Sequence, residues 1–208
     1  MNKINYDNLF KETINSFNGK KKKLLLHSCC APCSTAVLER VTPYFDVTVF
    51  FFNPNITESE EYYLRLNEQK RFLKEAYGED VALIEGRYFS REFFYMVEGY
   101  EKEPEGGARC NLCFDNRLLE TAKVAKENGY DYFATTLTVS PHKNAELINS
   151  IGEKLAKEHG VNWLYADFKK ENGYKRSIEL SKEYEIYRQR YCGCLYSKYA
   201  QIKTEEEA

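Results

Sequence analysis

The chain has 208 residues and a mass of 24.4 kDa, a length typical of one domain that builds its own hydrophobic core. Hydrophobic residues make up 43% and charged residues 30%, which excludes an intrinsically disordered chain. The net charge of −2 excludes a protein that binds nucleic acid through a uniformly basic surface, but it is compatible with a local basic face.

Hydrophobic periodicity predicts helices and strands that alternate along the chain. The predicted helices are Asn5–Phe17, Cys33–Arg40, Glu58–Tyr77, Phe89–Glu98, Asn111–Glu127 and Asn144–Glu158. The predicted strands are Leu24–Leu26, Val47–Phe52, Val81–Glu85, Asp131–Thr136 and Asn162–Ala166. The alternation predicts an α/β fold in which helices cover both faces of a parallel sheet of about five strands.

The same pattern predicts a single Rossmann-like domain, residues 1–208, in three parts. Residues 1–19 hold an N-terminal helix, residues 20–167 the α/β core, and residues 168–208 a basic, tyrosine-rich, helical C-terminal segment. No stretch approaches the ~20 apolar residues of a transmembrane helix, and Met1–Lys23 is too polar for a signal peptide. We therefore expect a cytoplasmic protein without a membrane partner.

Seven cysteines occur in three short clusters, Cys29-Cys30-Ala31-Pro32-Cys33, Cys110-Asn111-Leu112-Cys113 and Cys192-Gly193-Cys194. They stand beside Pro, Gly and Asn in apparent loops, which favours metal binding or redox chemistry over burial in the core. The first cluster directly follows the strand Leu24–Leu26. Ligands of parallel sheets collect at the carboxyl ends of strands, so we expect this cluster to lie at a functional site.

The first two clusters offer thiolates at metal-binding spacing. The steps from Cys30 to Cys33 and from Cys110 to Cys113 are both C-x2-C, which suits a zinc site or an iron–sulfur cluster. The long separation of the two steps, and a chain large enough to fold without zinc, favour iron–sulfur. The adjacent Cys29 and Cys30 favour it as well. Neighbouring side chains are expected to diverge, and a multi-iron cluster offers each of them its own metal atom.

The third cluster favours a different chemistry. A disulfide between Cys192 and Cys194 closes a small strained ring, for which Gly193 supplies the conformational freedom. Strained disulfides are easily reduced, so a redox-active pair is favoured over two unrelated exposed thiols. The basic residues expected to favour thiolates nearby are Arg188, Arg190 and Lys198.

Taken together, the cysteine motifs are similar to those of one enzyme family. They are His27-Ser-Cys-Cys-Ala-Pro-Cys-Ser34, Arg109-Cys-Asn-Leu-Cys-Phe-Asp-Asn-Arg117 and Tyr191-Cys-Gly-Cys-Leu-Tyr-Ser197, with Phe51-Phe-Asn-Pro-Asn-Ile56 and Thr135-Thr-Leu-Thr-Val-Ser-Pro-His-Lys-Asn144 between them. From about Leu24 to about Ser197 the chain resembles the epoxyqueuosine reductase family QueH. The resemblance implies an oxidoreductase that converts epoxyqueuosine to queuosine at the wobble position of tRNA, the last step of queuosine biosynthesis.

The resemblance also implies roles for individual residues. The implied ligands of a [4Fe-4S] cluster are Cys29, Cys30, Cys110 and Cys113, and the implied redox-active disulfide pair is Cys192 and Cys194. Candidates for an additional mononuclear iron, or for catalytic proton handling, are Cys33, Asp115, His27 and His142. Removing the epoxide oxygen takes two electrons and two protons. Since no G-x-G-x-x-G motif follows a strand, these electrons come from the metal site, the thiols and an unidentified donor.

A tRNA substrate requires contacts with phosphates, and the C-terminal segment is basic. Between Lys169 and Lys203, nine lysines and arginines stand against four glutamates, with six tyrosines interleaved. Basic groups with aromatic platforms suit an unstacked anticodon base, whereas a solvated helix with core tyrosines is the alternative. The residues expected to bind tRNA are Lys175, Arg176, Arg188, Arg190, Tyr191 and Lys198.

Two other functions are compatible with parts of the sequence. One is a zinc-binding, non-catalytic RNA-binding module. The other is an ATP-using tRNA-modification enzyme of nucleotide α-hydrolase-like fold, which needs an S-G-G-x-D-S phosphate loop after the first strand. His27-Ser-Cys-Cys stands at that position, which disfavours activation by ATP although the same architecture remains expected.

Overall fold

Five parallel strands form one sheet in the computed structural model, which describes residues 4–206. The strands are β1 (Lys22–His27), β2 (Phe45–Phe51), β3 (Ala82–Glu85), β4 (Tyr132–Thr135) and β5 (Asn162–Trp163). Their spatial order is β3-β2-β1-β4-β5, and every neighbouring pair is parallel. This order is Rossmann-like, and the predicted α/β fold with five parallel strands is confirmed.

Helices connect and cover the strands. They are α1 (Tyr6–Asn15), α2 (Ala31–Val41), α3 (Ser59–Tyr77), α4 (Arg91–Met96), α5 (Ala108–Glu127), α6 (Ala145–His159), α7 (Gly173–Glu183) and α8 (Leu195–Glu206), with a 3-10 turn over Thr136–Val139. Over residues 4–206, none of these helices combines the length and apolarity needed to cross a lipid bilayer.

The core forms on both faces of the sheet because β1 is apolar on both sides. Leu24 and Leu26 belong to one buried apolar cluster, whereas Leu25 belongs to the cluster on the other face. Such two-sided burial is typical of a central parallel strand, and β1 pairs with both β2 and β4.

The strand order reverses at β1, which defines where a ligand site is expected. The connection from β1 leads to β2 on one side, whereas β4 lies on its other side. At such a switch point the loops after the two strands separate and leave a crevice at their carboxyl ends. Here those loops carry the first cysteine cluster and Thr136.

Some boundaries differ from the predicted ones for local reasons. Helix α2 begins at Ala31 rather than Cys33, because Pro32 suits the first turn of a helix. Helix α5 begins at Ala108, after Gly107 at the N-cap. Cys33, Cys110 and Cys113 therefore lie in helices and not in loops. The C-terminal segment is helical in α7 and α8 but not over residues 184–194 between them.

Candidate active site

Three cysteine thiols meet where the chain leaves β1 and enters α2. The Sγ atoms of Cys29, Cys30 and Cys33 lie within 4.8 Å of one another, and those of Cys29 and Cys30 are 3.7 Å apart. The expectation that these two neighbouring side chains diverge is therefore wrong. The chain bends at Cys29, so the alternation of a regular strand does not apply there.

A negative charge on this cysteine trio is held best at Cys29. Hydrogen bonds from Cys30 and Cys33 lower the pKa of Cys29 well below its usual value, although burial acts in the opposite direction. The contact with Cys29 in turn raises the pKa of Cys30 to about 12. The trio also lies at the amino end of α2, where the helix dipole stabilises a negative charge. The local geometry thus supports a thiolate with two thiol donors.

The trio contacts the residue that follows β4, on the other side of the switch point. The backbone N–H of Cys29 donates to Oγ1 of Thr136 at 3.3 Å, and the Sγ of Cys29 lies 3.5 Å from the same oxygen. Thr136 directly follows β4. The first cysteine cluster therefore lies at the carboxyl edge of the sheet, as the sequence predicts.

The other four cysteines form a second group. Cys110 and Cys113 lie in the first two turns of α5, Cys192 and Cys194 precede α8, and all four line one small cavity. Cys113 and Cys194 are buried in an apolar cluster with residues of α4. Burial raises the pKa of Cys113 to about 12 and that of Cys194 to about 11. The second predicted ligand pair and the predicted redox pair are therefore neighbours.

A cavity of about 590 Å³ reaches from the trio to the second group. Cys29 and Cys33 contribute to its wall, and so does Cys192, which also lines the small cavity. The charged, imidazole and phenol side chains around it include Arg65, Glu105, Arg117, His142, Lys143, Arg188, Arg190 and Tyr191. Five of these carry a positive charge and one a negative charge, so the cavity suits an anionic or phosphate-bearing ligand.

Arg117 carries a positive charge between the two cysteine groups, and its side chain is 1% exposed. Its Nε donates to the carbonyl of Cys113 at 3.1 Å, whereas its Nη2 has no hydrogen-bond partner among residues 4–206. Burial lowers the pKa of Arg117, but the thiols of Cys113, Cys192 and Cys29 outweigh burial and raise it. A buried, incompletely paired guanidinium is costly unless negative charge compensates it.

These residues fit a metal centre with thiolate ligands. The trio brings three sulfur ligands together at a helix amino terminus, and thiolates bind both zinc and iron–sulfur clusters. The unpartnered Nη2 of Arg117 supplies positive charge beside ligands that become negative on binding a metal. The Cys29, Cys30 and Cys33 group is therefore competent to hold a metal.

Comparison with known proteins identifies the family. The family profile described as Epoxyqueuosine reductase QueH matches residues 24–200. The chain belongs to the QueH family. Relatives that carry this name include one from Streptococcus pyogenes serotype M1, 46% identical over 200 residues that cover 94% of this chain and 78% of the relative. The relative from Staphylococcus epidermidis is 46% identical over 94% of this chain and 85% of the relative. The relative from Thermotoga maritima is 36% identical over 84% of this chain and 89% of the relative.

In this member of the QueH family, His27 has a structural position. It is fully buried, its Nε2 donates to the carbonyl of Phe52 at 3.1 Å, and its Nδ1 accepts from Oγ1 of Thr135 at 2.8 Å. The carbonyl can only accept, which fixes the neutral tautomer. Burial lowers the pKa of His27 to about 3. Both ring nitrogens are engaged by hydrogen bonds within the fold, so the position of His27 does not support the expected metal or proton-handling role.

The two other non-cysteine candidates differ in position. Asp115 lies two residues after Cys113 on α5, which rotates it by roughly 200° around the helix and away from that thiol. It does not belong to the described residues that line either cavity. Its position therefore does not support the expected catalytic role. His142 lines the large cavity and stays a candidate for proton handling or an additional metal.

All seven cysteines are free thiols, so no Cys192–Cys194 disulfide is formed in this state. Gly193 between them has a φ of +118°, a backbone conformation that favours glycine. The cation in contact with Cys192 was not the expected one. Lys143 Nζ lies 3.5 Å from the Sγ of Cys192, whereas Lys198 binds Glu58 at 2.7 Å.

The six residues expected to bind tRNA separate into two sets. Arg188, Arg190 and Tyr191 line the large cavity. The other three do not line it. Arg176 forms a bidentate ion pair with Glu39, Lys198 binds Glu58, and Lys175 is exposed on α7.

Sequence reasoning missed four charged residues around the cysteines, namely Arg65, Glu105, Arg117 and Lys143. Arg117 had a usable signal, because it follows Cys110 by seven and Cys113 by four residues and so shares their helix face. Lys143 and Glu105 are brought to Cys192 only by the tertiary fold, and no local pattern marks them.

Proposed function

We propose that this chain reduces epoxyqueuosine to queuosine at the wobble position of a tRNA. The observation that carries the proposal is that Cys29, Cys33 and Cys192 line one basic cavity in a chain of the QueH family. A cavity of about 590 Å³ has the size of a small-ligand site, which suits one unstacked nucleoside. The names of the relatives support the same substrate.

The reaction needs two electrons and two protons, because the epoxide oxygen leaves as water and an alkene remains. A dithiol at Cys192 and Cys194 yields two electrons and two protons when its sulfurs join in a disulfide. The reaction therefore starts from the reduced form of the pair. A separate electron donor then restores the dithiol after each turnover.

We assign a [4Fe-4S] cluster to this site, with Cys29, Cys30, Cys110 and Cys113 as candidate ligands. When bound, such a cluster supplies electrons one at a time. Cys33 lies within 4.8 Å of the other two sulfurs of the trio, which makes it a further candidate ligand for an additional mononuclear iron. The buried charge of Arg117 supports an anionic metal site beside these thiols.

The tRNA contacts are assigned to the cavity-lining residues of the C-terminal segment. Arg188 and Arg190 provide positive charge for phosphates at the cavity. The ring of Tyr191 packs 5.2 Å from the guanidinium carbon of Arg65, which holds an aromatic surface in a fixed position. An unstacked base can stack on such a platform.

The reaction is tested directly with anaerobic, iron-loaded full chain, sodium dithionite and tRNA that contains epoxyqueuosine. Nucleoside mass spectrometry should detect queuosine. Cys192→Ser is the matched variant: it should keep the iron content but lose most turnover. If the iron-loaded wild-type chain forms no queuosine under these conditions, the proposed function is wrong.

Metal analysis separates this function from the zinc-binding RNA module. Anaerobically purified wild-type chain should be brown and contain several irons per chain, and Cys110→Ala should lose most of that iron. A colourless chain with one tightly bound zinc, which binds tRNA without converting it, would support the non-catalytic alternative instead.

A further inference from the structure

Lys143 occupies an unusual place for a lysine. Its side chain is 9% exposed, and its Nζ contacts the Sγ of Cys192 at 3.5 Å and Oε1 of Glu105 at 3.2 Å. Lysines are rarely buried unless their charge is paired. Here one partner is a carboxylate, and the other is a thiol of the proposed redox pair.

Glu105 joins Lys143 to the second thiol. Its Oε2 accepts from Oγ of Ser197 at 3.0 Å, and that Oγ accepts from the backbone N–H of Cys192 at 3.2 Å. The backbone N–H of Ser197 in turn donates to the Sγ of Cys194 at 3.4 Å. One network therefore fixes the position of both sulfurs.

The two thiols have different surroundings in this network. Cys192 lines the large cavity and contacts an ammonium, whereas Cys194 lines only the small cavity and is held by a backbone N–H. Burial raises the pKa of Cys194 to about 11. The other charges near Cys192 are the guanidinium groups of Arg65 and Arg117. Cys192 is thus the thiol of the pair that faces both the large cavity and a buried cation.

We propose that Lys143 is a positioning residue that holds Cys192 at the large cavity as the reactive sulfur of the redox pair, with Cys194 as its buried partner. This inference rests on the redox pair of the proposed function. On oxidation, the Cys192 and Cys194 thiols form one S–S bond and release two electrons and two protons. The epoxide takes up these two electrons and two protons, and its oxygen leaves as water.

Thiol alkylation tests the proposal without substrate. The full chain with its bound metal is treated anaerobically with limiting iodoacetamide at neutral pH, then digested with trypsin. The peptide Tyr191–Lys198 carries both thiols, and its fragment ions distinguish them. In the wild type, Cys192 should react first. In Lys143→Met the alkylation of Cys192 should slow by about threefold to tenfold, because its sulfur loses the cation that contacts it.

Matched variants separate charge from packing. Lys143→Arg keeps a cation and should stay within about twofold of the wild type, and Lys198→Met, which removes the same charge beside Glu58, should not slow Cys192. The double variant Lys143→Met/Glu105→Gln leaves no unpaired carboxylate, so it keeps the test valid if the single variant folds poorly. Cys192 in this double variant should be alkylated as slowly as in Lys143→Met.

Three results would overturn the role of Lys143. They are wild-type rates in Lys143→Met and in the double variant, equal slowing by Lys143→Arg, or preferential alkylation of Cys194 in the wild type. Alkylation does not depend on turnover. A chain with the expected thiol reactivity that forms no queuosine would therefore keep this role of Lys143 and contradict only the proposed function.

Discussion

At the scale of single residues, Arg117 shows how side-chain chemistry determines the site. Arg117 is buried against cysteine thiols with an unpartnered Nη2, which is unfavourable for a fold without compensating negative charge. A thiolate-bound metal cluster supplies that charge. The residue therefore links the stability of the fold to the occupancy of the metal site.

Replacing Arg117 should shift the reduction potential of the bound cluster. A nearby positive charge stabilises the reduced, more negative cluster, so Arg117→Met should lower the potential by roughly 40 to 90 mV, equivalent to about 1 to 2 kcal/mol for one electron. The reduction potential of Arg117→Lys should lie between those of the wild type and of Arg117→Met. Spectroelectrochemical titration measures the potential, and an unchanged value in Arg117→Met would exclude an electrostatic role.

Gly193 should resist substitution more strongly than a glycine that has a positive φ but open space around it. Its φ is +118°, and an added Cβ would lie 2.9 Å from Cγ1 of Ile56 and 3.1 Å from Nη1 of Arg65. We expect Gly193→Ala to reduce the free energy of unfolding by about 2 to 3 kcal/mol. Gly129→Ala, at φ +68° in open space, is the control and should cost about 1 kcal/mol. Urea unfolding measures the free energy of unfolding of both variants. Equal losses would contradict the close approach of Gly193 to Ile56 and Arg65.

At the scale of secondary-structure elements, α3 holds the redox loop in place. Arg65 of α3 is buried, and its Nη1 and Nη2 donate to the carbonyls of Cys192 and Tyr191 at 3.0 and 3.3 Å. Its Nε donates to Oε1 of Glu61 at 2.7 Å. The non-helical stretch between α7 and α8 is thereby fixed to the α/β core.

Removing this contact should loosen the C-terminal segment. Arg65→Met loses two charge-assisted hydrogen bonds to the loop, each worth about 1.5 to 3 kcal/mol. Limited trypsin digestion after Arg188 and Arg190 should therefore accelerate at least tenfold. Lys70→Met, on the same helix but paired with Glu85, should digest at the wild-type rate. Equal rates in both variants would show that the segment is held elsewhere.

Much of the element pattern was readable from sequence. Alternating periods and the buried run Leu24–Leu26 predict the central strand and the edge where the first cluster lies. The start of α5 at Ala108 was missed, because the helix follows Gly107 at its N-cap and no apolar repeat marks its first turn. The sulfur–sulfur contact of Cys29 and Cys30 was missed as well, because it depends on a bend that periodicity does not report.

At the scale of the whole molecule, a chain with a net charge of −2 concentrates positive charge around one cavity. Local basic composition indicated the C-terminal segment, but the tertiary fold decides which cations face the cavity. Arg190 faces it and pairs with Glu205 at 3.4 Å, whereas two other cations lie outside it. Arg176 and Lys198 are neutralised by glutamates of α2 and of the turn before α3. Such long-range pairing depends on the tertiary fold, so the sequence did not separate these residues from Arg188 and Arg190.

The cations that line the cavity should contribute to tRNA affinity, whereas those outside it should not. The double variant Arg188→Gln/Arg190→Gln should weaken binding. It should also flatten the salt dependence of log K by about 0.7 per lost phosphate contact. Arg176→Gln is the control and should leave the slope unchanged. Filter binding between low and moderate salt measures the slope of log K for each variant. An equal loss of affinity in Arg176→Gln would contradict tRNA binding at the cavity.

The most direct measurement is a single turnover without an external reductant. Iron-loaded chain with its dithiol reduced is freed of reductant and mixed with an equimolar amount of tRNA containing epoxyqueuosine. We expect up to one queuosine per chain, with the matching fraction of peptide Tyr191–Lys198 converted to its Cys192–Cys194 disulfide. No queuosine, or queuosine formed while both thiols stay reduced, would contradict reduction of epoxyqueuosine by this cysteine pair.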